Sequence, residues 1–267
     1  MGKPTNKQLT NSKFGPWGWS MILYAFLLYY FWAGLSVDAL NVYPEAFAAL
    51  HGWDPNVLLG FATPAGIIGV LGGIVFGRLI MKTGARNLSA VTLIVTGLIY
   101  ILFGRVSSPT MFLVCLTLFT FMANAFGLIV TSTLMNNWFP RKKGIALGWA
   151  TMGAPLCTAT FVAILSGLFG KFGVPTGCTI VGVVVVIFGL ASLVWVKDYP
   201  HDVGAYPDNI KAEGVDFKAQ AEAVRSHKSA FTVSKLLRDK DMWCMGLGFG
   251  LLWICLLYTS DAADDKA

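Results

Sequence analysis

The chain has 267 residues, 55% of them hydrophobic and only 13% charged, with a formal net charge of +6 and a mean hydropathy of +0.64. A soluble domain carries about 25% charged residues, so this composition excludes an ordinary soluble protein. The positive charge does not point to nucleic acid, because the cations fall between apolar runs rather than along a basic stripe.

Residues 1–16 read as a polar tail carrying Lys3, Lys7 and Lys13. The apolar run behind it imitates a secretory signal but is too long and lacks a small-x-small cleavage site, so it is expected to be retained. Six spans are predicted over residues 19–43, 57–80, 88–103, 109–138, 144–168 and 174–196, each close to or above the ~20 residues that cross ~30 Å of hydrocarbon. Together residues 17–196 form an expected six-helix transmembrane bundle, and a seventh helix starts near Met242. The fold class is therefore an all-α membrane protein.

Orientation follows from Lys and Arg. The tail, the turn after the second span (Arg78, Lys82, Arg86) and the turn after the fourth (Arg141, Lys142, Lys143) hold three each, and residues 197–240 hold eight. The other side has Arg105 and Lys171 alone. The cation-rich side is expected to be cytoplasmic, in the cell membrane, with the N-terminus inside.

In the first span Asp38 lies 19 residues beyond Trp19, roughly 28 Å along a helix axis. If the helix continues, Tyr30, Gly34, Asp38 and Asn41 share a face. Two readings of Asp38 stand together: a carboxyl in an outward-opening cavity that takes a proton, cation or solute, and a solvated helix-end aspartate in the headgroup zone. The second span carries Gly69, Gly73 and Gly77 at four-residue spacing, which lets helix backbones approach closely. In the fourth span Thr117, Thr120, Asn124, Gly127 and Thr131 recur every three or four residues. A polar face of this kind is expected to look at neighbouring helices or a wet path rather than at lipid. Trp138-Phe139-Pro140 ends that span at headgroup depth, and Pro155 is expected to kink the fifth.

Residues 197–241 read as a soluble loop with turn signals at Tyr199-Pro200 and Tyr206-Pro207, a polar helical stretch near 217–227 and a cap at Thr232. Residues 242–254 begin the seventh helix. From Cys255 to the end the string resembles an in-frame translation of a transposon-type sequencing adaptor, so residues 255–267 are expected to be an artefact and the natural chain to continue. The five cysteines stand singly in apolar runs, and the three histidines do not cluster, so neither disulfides, a metal nor another cofactor is expected.

The turn Gly77-Arg78-Leu79-Ile80-Met81-Lys82-Thr83-Gly84-Ala85-Arg86 resembles the signature of the major facilitator superfamily of transporters, Gly-x-x-x-Asp-Arg-x-Gly-Arg-Arg. Gly77, Lys82, Gly84 and Arg86 match, while Met81 stands at the acid. The resemblance implies the N-terminal half of a twelve-helix fold, with the C-terminal six-helix half missing, and a gate turn on the cytoplasmic side that the acid helps latch. Residues 136–155, with the turns at 200–209 and the run 231–243, are similar to the oxalate/formate antiporter and monocarboxylate transporter branch. Members commonly move small organic acids, using aromatic residues of the first helix and cations of helices eight and eleven, which lie outside this chain. Cys157 stands where that branch's helix 5 pattern has glycine.

The expected function is secondary transport of a small organic acid by alternating access, as antiport or proton symport. The candidate solute residues are Tyr30, Asp38, Asn41, Asn124 and Thr131. The partners expected are the solute, a proton and the lipid bilayer, with no nucleic acid. The alternatives are an exporter of cationic or amphipathic compounds, with Asp38 as counter-charge, and a non-transporting membrane sensor. An intramembrane enzyme is disfavoured, because the second to sixth spans contain neither His nor carboxylate.

Overall fold

The computed structural model describes residues 14–210 and 238–264. These divide into two units, residues 1–218 and 219–267, of which the first carries the bundle. The described residues are helical, and five helical stretches among them are long and apolar enough to cross a membrane: Gly15–Asn41, Pro55–Phe103, Pro109–Trp138, Lys143–Phe172 and Val174–Trp195.

Helix α1 is Gly15–Ser36, entered through Pro16. The expected continuous helix to Tyr43 is not observed. The chain leaves helical geometry at Val37, makes a 3₁₀ turn over Asp38–Asn41 and restarts as α2, Tyr43–His51. The break has a local cause. Ser36 donates its hydroxyl to the Trp32 carbonyl at 2.5 Å, and Tyr43 donates to the Leu35 carbonyl at 3.2 Å. The Leu35 carbonyl, which the next helical turn would have used, thus goes to the Tyr43 side chain, while the Ser36 bond shares a carbonyl already inside the helix.

After a short α3, Pro55–Gly60, capped by Asp54, comes α4, Ala62–Phe103. At Gly84 (φ 80°, ψ 165°) the helical path is broken. The expected second and third spans are the two arms of α4, and the expected loop between them shrinks to this single glycine. Each arm is about 20 residues long, a membrane-crossing length. Gly173 adopts nearly the same geometry (φ 79°, ψ 162°) between two later helices. Both positions need a residue without Cβ.

Counting the two arms of α4 as the second and third stretches, the fourth is α5, Pro109–Asn124, a π-helical segment over Ala125–Val130, and α6, Thr131–Trp138. The fifth is α7, Lys143–Thr151, and α8, Gly153–Phe172. Its interruption falls at Met152, ahead of Pro155, whose missing N–H is harmless in a first helical turn. The sixth is α9, Val174–Trp195. Within the second unit, α10 begins at Lys240 and runs through Cys255 to Asp264. The helix and cap expected near 217–227 and Thr232 lie outside the described residues.

Close packing depends on small residues. A Cβ on Gly97 would lie 2.6 Å from the Gly182 carbonyl, so the second arm of α4 and α9 touch backbone to backbone. In the first arm, Gly69 meets Asn124 and Gly72 meets Phe121, whereas Gly66, Gly73 and Gly77 face open space. The four-residue glycine ladder therefore serves as a packing seam only at Gly69. At one end of the bundle the aromatic cluster Tyr43, Phe47, Tyr100, Phe103, Phe112 and Phe119 is fully buried. At the other end lie the cationic turns and the residues that follow α9. Buried hydroxyl pairs tie α1 and α2 to their neighbours: Tyr24 of α1 donates to Ser192 at 2.8 Å, and the hydroxyls of Tyr43 in α2 and Tyr100 lie 2.9 Å apart.

Candidate functional site

Helix α1 presents two polar clusters on opposite sides near its broken end. Toward the fourth stretch, Trp32 Nε1 donates to Asn124 Oδ1 at 3.2 Å. Asn124 in turn donates its amide to the Thr120 carbonyl at 3.2 Å. Gly127 makes room for the Trp32 ring, which a Cβ there would strike. Toward α8, Tyr30 Oη and Thr160 Oγ1 lie 3.0 Å apart, and Thr158 Oγ1 sits 3.1 Å from each carboxylate oxygen of Asp38.

Asp38 is 7% exposed. The solvated helix-end reading therefore gives way to a buried carboxylate held by a neutral hydroxyl, with Cys157 and Phe161 packed against neighbouring Gly34. Taking a carboxylate out of water is costly unless hydrogen bonds replace the hydration, and here the Thr158 hydroxyl supplies one. The shared face is only partly realised. Tyr30, Gly34 and Asp38 all turn toward α8, but the break at Val37 leaves Asn41 exposed.

Thr131 is fully buried and donates its hydroxyl to the Phe126 carbonyl, five residues back, at 3.3 Å. That bond spans the π-helical segment, which leaves carbonyls without their ordinary i+4 donors. Asn124 sits at the start of the same segment, half-buried, with Trp32 against it. The candidate residues thus separate into a pair facing α8, a residue facing Trp32, an exposed Asn41 and a Thr131 enclosed by its own helix.

At the cationic end, Gly84 and Arg86 meet a residue that sequence reading did not single out. Asp198 Oδ1 accepts the Arg86 backbone N–H at 2.7 Å, and a Cβ on Gly84 would lie 2.5 Å from Asp198 Oδ2. Gly77 faces open space and Lys82 is exposed. Nearby, an open pocket of about 200 Å³ is lined by Phe14, Trp17, Trp138, Phe139 and Tyr206.

Five membrane-length apolar stretches and a cationic turn broken at a glycine fit one finding from comparison with known proteins. The model of the family described as Major Facilitator Superfamily matches residues 7–262. The chain belongs to that superfamily. A comparison with curated proteins returns no match. Membership makes this a multi-pass membrane protein of a transporter family, whose partners are a small-molecule solute and lipid. For a superfamily member, the clusters around α1 are the informative ones. Trp32, Thr158 and Thr160 escaped the sequence reading because each looks like one more aromatic or small polar residue in an apolar run. A Thr-x-Thr pair within the fifth span was the one available signal.

Proposed function

We propose that this chain is the N-terminal half of a secondary active transporter that moves a small organic acid across the cell membrane by alternating access. The two arms of α4 and the other four stretches would be its six spans, with the cationic end in the cytoplasm. The observation that carries the reading is the pair of hydrogen-bonded clusters on either side of α1, Trp32–Asn124 and Asp38–Thr158. Both are exchangeable side-chain contacts flanking the break at Val37, Trp32 on the last turns of α1 and Asp38 on the 3₁₀ turn that follows. A solute or proton arriving there can replace one partner without unfolding anything.

In this reading Tyr30, Asn41 and Asn124 offer stacking and neutral hydrogen bonds to the solute. Asp38 takes up a proton during symport, or pairs with a cation of the second half, which resolves the conflict between a carboxylate and an anionic cargo. Thr131 supports the π-helical segment that presents Asn124. The turn at Gly77, Lys82, Gly84 and Arg86 serves as the gate turn.

A second reading, export of a cationic or amphipathic compound, is favoured by one feature: Asp38 is buried with a neutral partner, Thr158. Uptake assays in proteoliposomes separate the two. The first reading predicts saturable, pH-dependent uptake of a radiolabelled mono- or dicarboxylate by the complete transporter. Accumulation of a cationic dye with no carboxylate uptake would overturn it in favour of export, and movement of neither would leave a sensor.

A further inference from the structure

We infer that residues 197–210 form a carboxylate clasp, in which Asp198 and Asp208 hold the two cationic turns of the bundle in one fixed relation. Its mechanistic consequence rests on the transporter reading above.

Asp198 caps the second arm of α4. Its Oδ1 accepts the Arg86 N–H at 2.7 Å, and its Oδ2 fills the space left by the missing Cβ of Gly84. The same stretch of backbone also grips the end of α6. The Asp198 carbonyl accepts from Asn137 Nδ2 at 3.2 Å, and the Lys197 carbonyl from Trp138 Nε1 at 2.8 Å. Further along, Asp208 is 2% exposed and adopts φ 56°, a left-handed conformation that aspartate tolerates better than most residues. Its two oxygens accept the backbone N–H groups of Arg141 (3.2 Å) and Lys142 (3.0 Å), at the entry to α7.

Two carboxylates of one segment therefore sit at the N-terminal ends of two helices, where unpaired N–H groups and the helix dipole favour negative charge. The gate turn lacks an acid at Met81, and Asp198, 112 residues further along the chain than Arg86, brings a carboxylate to that turn. Both acids bond to backbone N–H groups, so they fix the path of each turn. Such bonds persist when side-chain ion pairs exchange partners. The two turns then move as one body during alternating access, and Asp198 and Asp208 are positioning residues for the gate.

Spin labels on cysteines replacing the exposed Asn87 and Lys143, in the complete transporter in nanodiscs, test this by double electron–electron resonance. The expected result is a single narrow distance distribution that does not change when carboxylate solute is added. Asp198→Ala with Asp208→Ala should broaden it, and Asp208→Asn, which keeps one acceptor oxygen, should recover most of the narrowness. In uptake assays the double variant should lose roughly tenfold in maximal rate with KM held within about twofold, because solute contacts are untouched. A distribution that shifts with solute in the parent protein, or that stays narrow in the double variant, overturns the clasp. Should the double variant fail to fold, the two single variants at Asp208 decide: an unbroadened distribution with a normal maximal rate in Asp208→Ala overturns the clasp, and broadening in Asp208→Ala rescued in Asp208→Asn supports it. If the parent protein moves no solute, the transport reading falls while the label distances still decide the clasp.

Discussion

Thr158 holds both oxygens of Asp38 at 3.1 Å, placing the only carboxylate of α1 and its 3₁₀ extension against a hydroxyl of the fifth helical stretch. The bond joins a 3₁₀ turn, held by few backbone hydrogen bonds, to the regular helix α8. A proton arriving on Asp38 would change what Thr158 can donate to, and with it the contact between α1 and α8.

If Asp38 is the coupling group, Asp38→Asn removes the pH dependence of uptake and lowers the coupled rate by tenfold or more, the scale of one charge-assisted bond. Thr158→Val should weaken coupling as well, and Thr158→Ser should restore it, since serine keeps the donor. Initial rates between pH 5 and 8 in proteoliposomes check this. An Asp38→Asn protein with the parent's rate and pH profile removes Asp38 from the mechanism.

Asn124 and Thr131 should respond differently although they belong to one polar stripe. Asn124 is half-buried and shares its oxygen with Trp32, so Asn124→Ala is expected to raise KM by about tenfold, along with a stability loss of about 1 kcal/mol from the bonds to Trp32 and Thr120. Thr131 is enclosed, with its hydroxyl on the Phe126 carbonyl. Thr131→Val should leave KM unchanged and lower stability by about 1 kcal/mol, the net worth of one such bond. Uptake kinetics distinguish the two, and thermal melting of the purified protein checks the stability losses. A KM change at Thr131 equal to that at Asn124 would place both on the solute path.

Gly84 combines a conformation nearly reserved for glycine with a carboxylate where a Cβ would stand. Gly84→Ala should therefore destabilise the bundle by about 2–4 kcal/mol, backbone strain added to displacement of Asp198. The check is a drop of several degrees in melting temperature in detergent. Gly77→Ala, at a position facing open space, should melt within a degree or so of the parent, as surface changes do.

The helical, membrane-embedded character was legible because hydrocarbon thickness imposes a length that shows in any hydropathy reading. Gly84 was legible through its signature, and Asn124 because an amide among Leu, Phe and Met stands out. The break at Val37 was not, since the bond that spans it is made by the Tyr43 hydroxyl reaching back to the Leu35 carbonyl. The π-helical segment at 125–130 adds a residue to a turn without leaving a mark in the apolar pattern. Asp198 and Asp208 looked like loop acids because their partners lie far away in sequence, at Arg86 and at Arg141 and Lys142. Capping across that separation is a product of the fold and has no local pattern.

The central claim is that α1 and the fourth helical stretch wall a conduit that opens to each side in turn. The direct measurement is thiol labelling in the complete transporter, stripped of native cysteines, with single cysteines replacing Asn41 and Asn124. Membrane-impermeant maleimide is added from either face, with and without carboxylate solute. The account predicts that the Asn124 position labels from both faces and is protected by solute, while the Asn41 position labels from the outside. If the Asn124 position stays unlabelled from both faces under every condition, no conduit passes there and the transport reading is contradicted.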